Sequence, residues 1–287
     1  MYQAFFGLKE KAFSIQPDPD FLYWGRPHSM AFAMLQYGLT NRAGFTVITG
    51  EIGTGKTTLI RHLLNQIEDE INIGLISTTR RREKELLHWI LMAFEQPFEG
   101  LSYVALYKRL QDYLIGEYAK RGRTILIFDE AQNLGFDNLE ELRMLSNINA
   151  DKHQLLQIIL VGQPELKDTL QDPGMIQFCQ RVSSDFHIRP LLLDETIAYI
   201  DHRISVAGGT GGVFADDAKS IIFKVSRGVP RVINILCDTA LVYAFATGSE
   251  RVTAQIVQNV LADKKQYGVF QVDGARDFPA PLQEVSS

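Results

Sequence analysis

The sequence predicts an α/β domain with a five-stranded parallel sheet, followed by a small all-helical domain. Most of the predicted strands are apolar on both faces, as expected for a parallel sheet that is covered by helices on both sides. The predicted strands are Phe45–Thr49, Ile73–Ser77, Thr124–Phe128, Leu156–Gly162 and Asp185–Ile188. Helical patterns lie between them, at Glu83–Phe94, Tyr103–Arg121 and Leu139–Ile148. This alternation is typical of an α/β layer.

The second domain is predicted because the strand patterns stop after Pro190. The helical patterns that follow are Thr196–Ala207, Ala215–Ser226, Pro230–Thr247 and Thr253–Lys264. Beyond Lys265 the periodicity fades, so residues 266–287 are expected to form a flexible tail.

Composition and charge restrict the class of protein. A net charge of −5 argues against a protein whose main task is to coat nucleic acid. Cys179 and Cys237 show no metal-ligand spacing, which favours a reducing compartment and no structural zinc. The N-terminus lacks the pattern of a signal peptide, and no apolar run approaches the roughly 20 residues that span a bilayer. We therefore expect a cytoplasmic protein without direct membrane insertion.

The strongest motif is "VITGEIGTGKTTLI", which matches the phosphate-binding pattern and lies between a predicted strand and a predicted helix. A chance glycine-rich turn is the weaker alternative, because pattern and context agree. Lys56 is expected to reach the β- and γ-phosphates of a nucleotide, and the Thr57 hydroxyl to hold Mg²⁺. The predicted nucleotide-binding residues are Gly50, Glu51, Ile52, Gly53, Thr54, Gly55, Lys56, Thr57 and Thr58, together with Arg231.

An acidic pair follows the predicted strand in "RTILIFDEAQNL". Asp129 is expected to bind Mg²⁺ through water, and Glu130 to orient and deprotonate the attacking water. The tandem Asp-Glu favours an ATPase over a GTPase or a small-metabolite kinase. Together with the glycine-rich loop, the pair predicts hydrolysis of ATP rather than binding only.

Three polar residues have both a catalytic and a structural interpretation. Gln163 follows a buried strand, where it could sense the γ-phosphate or simply cap the strand end before Pro164. Arg181 could enter a neighbouring subunit's site as an arginine finger, or interact with a helix C-terminus. Arg231 follows Pro230 in "SRGVPRVIN", where a cation opposes the helix dipole unless it faces an anion such as a bound phosphate. An exposed arginine without a role is the alternative.

Two further segments have weaker interpretations. "GGTGG" (208–212) lacks a following Lys-Ser/Thr, so it is interpreted as a flexible connection. Arg80, Arg81 and Arg82 form a basic cluster that favours a solvated loop over a site for DNA or for an acidic partner.

These motifs resemble the general secretion pathway protein A (ExeA-like) group of AAA+ ATPases, and most closely its branch from exosortase, PEP-CTERM and exopolysaccharide loci. The resemblance runs from about Met1 to Lys265 and includes "DEAQNL", "LLQIILVGQPEL", "QRV" and "SRGVPRVINILCD". It implies an AAA+ core with a helical lid, Gln163 and Arg231 as first and second sensors, and Arg181 as a finger. The implied divisions are 1–44, a segment packing on the nucleotide site, 45–191, the ATPase domain, 192–265, the lid, and 266–287, the tail.

The resemblance also implies a role and partners. We expect a Mg-dependent ATPase that couples ATP binding and hydrolysis to assembly or regulation of an envelope secretion or exopolysaccharide-export system. The expected partners are copies of the same chain, with a hexamer as one form, and a membrane-bound component of that system. Long members of the group continue into a membrane span and a peptidoglycan-binding domain, and this chain ends before either. Any attachment of this chain at the inner membrane is therefore expected to occur through a partner.

Two other functions remain open at this point. A DNA-acting AAA+ ATPase, such as a transposition helper or a loader, would share the sensors and the lid, although the negative net charge argues against it. A nucleotide-dependent interaction module with negligible turnover is the third, and Glu130 argues against it.

Overall fold

The computed structural model describes residues 1–67, 71–77, 85–120, 122–150 and 153–267. The chain divides into two compact units. The α/β unit comprises His28–Glu51 and Leu59–Ile188, and the helical unit comprises Met1–Pro27, Ile52–Thr58 and the described residues from Arg189 onward. The predicted N-terminal segment, 1–44, is therefore divided between the two units.

The described part of the α/β unit contains a five-stranded parallel sheet. Its strands are β1 (Phe45–Gly50), β2 (Ile71–Ile76), β3 (Arg123–Phe128), β4 (Leu156–Gly162) and β5 (Val182–Ile188). Their order across the sheet is β2-β3-β4-β1-β5. All residues of β1 and β4 are buried, which explains why these strands are apolar on both faces. The five predicted strands are confirmed, with ends that differ by up to three residues.

Helices flank this sheet. The longer ones are α1 (Arg26–Thr40), α2 (Lys56–Leu64), α3 (Leu86–Ala93), α4 (Tyr103–Ala119), α5 (Gly135–Leu145) and α6 (Pro164–Leu170). Short helices cover Ala131–Asn133, Pro173–Met175 and Ile176–Cys179, and Asn149–Ala150 pairs with His153–Gln154. Helix α3 packs on β2 and α4 packs on β3. The Phe45 and Phe178 rings lie 4.4 Å apart in the core of this unit, between β1 and the chain leading into β5.

The helical unit contains α7 (Leu193–Val206), α8 (Asp216–Ser226), α9 (Pro230–Ala246) and α10 (Ala254–Tyr267). Two short helices, Tyr2–Phe5 and Pro19–Phe21, belong to its N-terminal segment. A β-bridge joins Phe214 and Val252, so the region after Pro190 is mostly rather than entirely helical. The helices predicted after Pro190 are confirmed, and α10 extends slightly beyond its predicted end.

The N-terminal segment forms part of the core of the helical unit. Phe13 is buried and its ring meets that of Phe214 edge to face, at 5.6 Å between centroids. The Arg203 guanidinium lies over the Phe21 ring at 4.4 Å, and its Nε donates to the Ala12 carbonyl at 2.6 Å. These contacts attach the first 21 residues to α7 and its neighbours. Packing of this segment on a nucleotide remains a prediction.

Residues 268–287, which include nearly all of the predicted tail, lie outside the described residues. The basic cluster Arg80–Arg82 also lies outside them. Within the described ranges, no helix combines the length and apolar character needed to cross a bilayer.

Candidate nucleotide site

The central strands of the sheet end side by side at one edge of the α/β unit. Strand β4 lies between β3 and β1, with Phe128 opposite Leu160 and Gly162 opposite Thr49. Because the strands are parallel, their carboxyl ends meet at the same edge, which is where ligands bind in open α/β sheets. Gly50, Asp129 and Gln163 stand at or directly after these ends, in agreement with their predicted positions in the sequence.

Glu130 occupies an unusual backbone conformation directly after β3. Its φ angle is +58°, in the left-handed region that side chains other than glycine rarely adopt. The preceding Asp129 is 6% exposed, its backbone N–H donates to the Ile76 carbonyl at 2.9 Å, and its Oδ1 accepts from the Glu130 N–H at 3.0 Å. Backbone outliers of this kind concentrate at functional sites, where neighbouring contacts hold them.

Two amide side chains hold the Glu130 carboxylate. Its Oε2 accepts from Gln132 Nε2 at 2.6 Å and from Gln163 Nε2 at 2.8 Å. The Gln132 Oε1 in turn accepts from the Gln163 backbone N–H at 3.0 Å. This cluster, which we call the amide clasp, consists of Glu130, Gln132 and Gln163. It joins the ends of β3 and β4 and limits the directions in which the carboxylate can point.

Gln132 is the member of the amide clasp that is not predicted from the sequence. It lies within "DEAQNL", so its position beside the acidic pair was visible, but its partners depend on the turn at Glu130 and on β4. For Gln163, the described atoms show no side-chain cap on α6, although Gln163 is the residue that precedes that helix. Its side chain contacts Glu130 instead.

The predicted phosphate-binding loop, residues 50–57, begins at the last residue of β1. Its residues 52–57 belong to the helical unit. Gly53 and Gly55 have φ angles of +81° and +94°, which glycine adopts without strain. Helix α2 begins at Lys56, so the backbone N–H groups of its first turn form the kind of helix terminus that binds phosphate. Thr54 and Lys56 are buried, whereas Ile52 is exposed.

Arg231 lies in the first turn of α9, which begins at Pro230 as predicted. Two consecutive left-handed residues, Arg227 and Gly228, turn the chain from α8 into α9. The Gly228 carbonyl accepts from the Leu191 N–H at 2.9 Å. The Arg231 backbone N–H donates to the Gly53 carbonyl at 3.1 Å, so within the helical unit the first turn of α9 lies against the phosphate-binding loop.

Arg181 contacts a different part of the α/β unit. It follows the short helix Ile176–Cys179, is half-buried, and donates through Nη1 to Ser146 Oγ at 2.9 Å and to the Arg143 carbonyl at 3.5 Å. Both acceptors lie at the C-terminal end of α5, where a cation is favoured by the helix dipole. An intermolecular role for Arg181 remains a prediction.

Thr57 and Asp129 are suitable in chemical type for Mg²⁺. A hydroxyl and a carboxylate are hard oxygen donors, and Mg²⁺ commonly takes one or two such ligands while it keeps several waters. Across the described residues, no group of three or more His, Cys, Asp or Glu side chains forms a metal cluster.

Comparisons with known proteins identify the same core. The family model of an AAA domain matches residues 39–170. General secretion pathway protein A from Aeromonas hydrophila is 39% identical over 280 residues, which cover 96% of this chain but 49% of that protein. The chain therefore spans about half the length of this relative.

Solved structures share the fold at lower identity. Cdc6p from Pyrobaculum aerophilum superposes with a TM-score of 0.67 and 20% identity, covering 91% of this chain and 74% of that one. The ORC2 protein of Aeropyrum pernix gives a TM-score of 0.62 and 16% identity, covering 93% and 82%. These likenesses establish the fold.

Proposed function

We propose that this protein, an ATPase with the AAA+ P-loop fold, belongs to the general secretion pathway protein A group and couples hydrolysis of Mg·ATP to an envelope secretion or exopolysaccharide-export system. The amide clasp carries the proposal for hydrolysis, because it fixes a carboxylate at the end of β3. The similarity over 96% of the chain supports the role in secretion.

In the proposed mechanism, Lys56 and the N–H groups of the loop bind the phosphates. Thr57 and Asp129 would hold Mg²⁺, which supplies neutralisation of charge on the β- and γ-phosphates when it is bound. Glu130 orients a water and accepts its proton as the water attacks the γ-phosphorus, and the bond to the β-phosphate oxygen breaks. Gln132 and Gln163 keep the accepting carboxylate in position.

The two arginines have separate roles in the proposal. Arg231 acts on the nucleotide of its own chain, because its helix begins against the phosphate-binding loop. Arg181 acts on the nucleotide of a neighbouring chain in a homo-oligomer, of which a hexamer is one form. Its own-chain bond to Ser146 would then hold the side chain until a neighbour arrives.

Mixing variants tests this division of roles. If Arg181 acts between chains, wild-type specific activity rises with protein concentration. A mixture of Arg181→Ala and Lys56→Ala proteins recovers part of the activity, because one chain supplies the intact loop and the other the intact arginine. A mixture of Arg231→Ala and Lys56→Ala does not recover. Equal recovery in both mixtures, or activity that is independent of concentration, would contradict the proposal.

We propose that the protein acts in the cytoplasm, or at the periphery of the inner membrane through a membrane-bound partner. We also propose that it belongs to the exosortase and PEP-CTERM branch of the group. Replacing the chromosomal copy by the Glu130→Gln variant should block secretion or polysaccharide export while the protein level stays normal. The same purified protein should show no stimulation of ATP hydrolysis by duplex DNA. Strong stimulation, with DNA binding that falls steeply as salt is raised, would instead support the DNA-acting alternative.

A further inference from the structure

The N-terminus of α9 has an uncommon cap. A helix leaves its first backbone N–H groups without intrahelical acceptors, and a Ser, Thr, Asp or Asn side chain usually provides one. The residue before α9 is Val229, and the described atoms include no side-chain cap at this helix. Pro230 has no N–H, so Arg231 carries the first donor that needs an acceptor. The carbonyl of Gly53 fills that position, 3.1 Å from the Arg231 nitrogen.

Gly53 also makes room for this helix. A Cβ atom at residue 53 would lie 2.6 Å from the Arg231 Cβ and 3.3 Å from a methyl carbon of Val229. Real Cβ contacts are essentially never as short as the first of these, so the helix would have to shift. The φ angle of +81° is a second constraint, because it disfavours residues with a side chain. Glycine at this position therefore permits the close approach that the hydrogen bond requires.

We propose that Gly53 is the positioning residue for Arg231: its carbonyl caps α9, and its lack of a side chain sets where the first turn of that helix begins. A hydrogen bond between two backbone groups, far apart in the sequence, thereby joins the phosphate-binding loop to the helix that carries Arg231. The consequence for catalysis rests on the proposed function, since it requires that Arg231 contact the nucleotide. The cap itself is independent of that function.

Amide hydrogen exchange in the full-length protein tests the cap. Gly53→Ala should raise the exchange rate of the Arg231 amide by about tenfold, the size expected for loss of one net hydrogen bond. Gly212→Ala is the matched control, because Gly212 has a φ of +93° and a Cβ atom added there would meet nothing within 4 Å. It introduces the same kind of backbone strain in the same unit without a clash, and it should leave exchange at Arg231 unchanged.

A second variant gives α9 an N-terminal cap that does not depend on the phosphate-binding loop. Val229→Thr keeps the shape of the side chain and replaces one methyl group by a hydroxyl, which can accept from the Arg231 N–H as an ordinary N-terminal cap. In a Gly53→Ala background, Val229→Thr should restore slow exchange at Arg231. Unchanged exchange in Gly53→Ala, or failure of Val229→Thr to slow it again, would overturn the cap.

A double-mutant cycle tests the positioning role. Gly53→Ala should lower kcat about tenfold when Arg231 is present, and less than about twofold in an Arg231→Ala background, because residues that act as a unit are not additive. Equal losses in the two backgrounds would show that Gly53 acts on the loop and not through Arg231. A wild-type protein without ATP turnover would refute the proposed function instead, and the exchange measurement would still decide the cap.

Discussion

Gln132→Leu is expected to slow ATP hydrolysis without loss of ATP binding. The substitution keeps a side chain of similar size but removes the 2.6 Å bond to Glu130 Oε2 and the acceptor for the Gln163 N–H. The hydrogen bond from Gln163 Nε2 to Glu130 remains, so within the amide clasp the carboxylate keeps one amide donor and loses the other. A hydrogen bond to a charged group contributes about 1.5–3 kcal/mol. If that stabilisation orients the base in the transition state, kcat should fall by roughly 10- to 150-fold.

The assay separates positioning from general damage to the fold. Steady-state hydrolysis gives kcat and KM, titration with a fluorescent ATP analogue gives the affinity, and thermal unfolding reports stability. Gln171→Leu is the matched control, because Gln171 is an exposed residue at the end of α6 and lies outside the amide clasp. Gln132→Leu should lower kcat with little change in affinity, and Gln171→Leu should change neither.

A Gln132→Leu protein with wild-type kcat would refute the argument, since the amide clasp would then be a structural contact that Glu130 does not need for catalysis. A fall in ATP affinity as large as the fall in kcat would refute it as well. In that case Gln132 would support binding and not the orientation of the base.

Three further predictions follow from separate observations. Lys56→Ala should abolish binding of a fluorescent ATP analogue while the protein stays folded, because the loop loses the cation that is expected to reach the phosphates. Gly228→Ala should lower the free energy of unfolding in urea by about 3 kcal/mol or more, because the added Cβ would lie 1.8 Å from the Leu191 carbonyl oxygen. Gly248→Ala is the control, because Gly248 has a similar φ and a Cβ added there would meet nothing within 4 Å. It should lower the free energy of unfolding by only about 1–2 kcal/mol. Burial and the nearby charge of Arg203 lower the pKa of His202 from its ordinary value of 6.5. Below about pH 6.5 the unfolded chain therefore binds a proton at His202 more readily than the folded chain does. The free energy of unfolding should fall as pH falls through this range. His202→Gln should flatten this decline in thermal unfolding scans, and an unchanged pH profile would show that His202 does not cause it.

The parts of the fold that could be predicted are those with a local cause. Strands β1, β3 and β4 are mostly apolar because both of their faces are covered, and each can be located from composition over a few residues. Pro230 was identified as the start of α9 because a missing N–H costs nothing at that position. The acidic pair and the glycine-rich loop were identified in the same way, from short patterns that carry their own chemistry.

The parts that were missed depend on contacts between distant residues. Helix α1 was not predicted, and it contains Gly38, a residue that weakens a helical pattern. A Cβ atom at Gly38 would lie 2.1 Å from Thr46 Oγ1 on β1. The absence of a side chain at Gly38 therefore allows α1 to pack closely against β1. Gln132 and Gly53 were missed as partners for a similar reason, because their contacts with Glu130 and Arg231 follow from tertiary structure.

The structure shows what surrounds Arg231 at the start of α9. The sequence showed a cation where a helix dipole disfavours one. The structure adds that the same turn lies against the phosphate-binding loop through the Gly53 carbonyl. A bound phosphate as the compensating anion remains a proposal, and the double-mutant cycle with Gly53→Ala and Arg231→Ala tests whether Arg231 acts in turnover.

The central claim is that Glu130 is the base that activates water for hydrolysis of ATP. The most direct test compares wild type and Glu130→Gln for binding of Mg·ATP and for its turnover in the same preparation. The amide is nearly isosteric with the carboxylate but cannot accept the proton, so affinity should stay close to that of wild type while turnover falls by about 10²- to 10⁴-fold. Turnover equal to that of wild type would contradict the claim, because the proton would then have another acceptor.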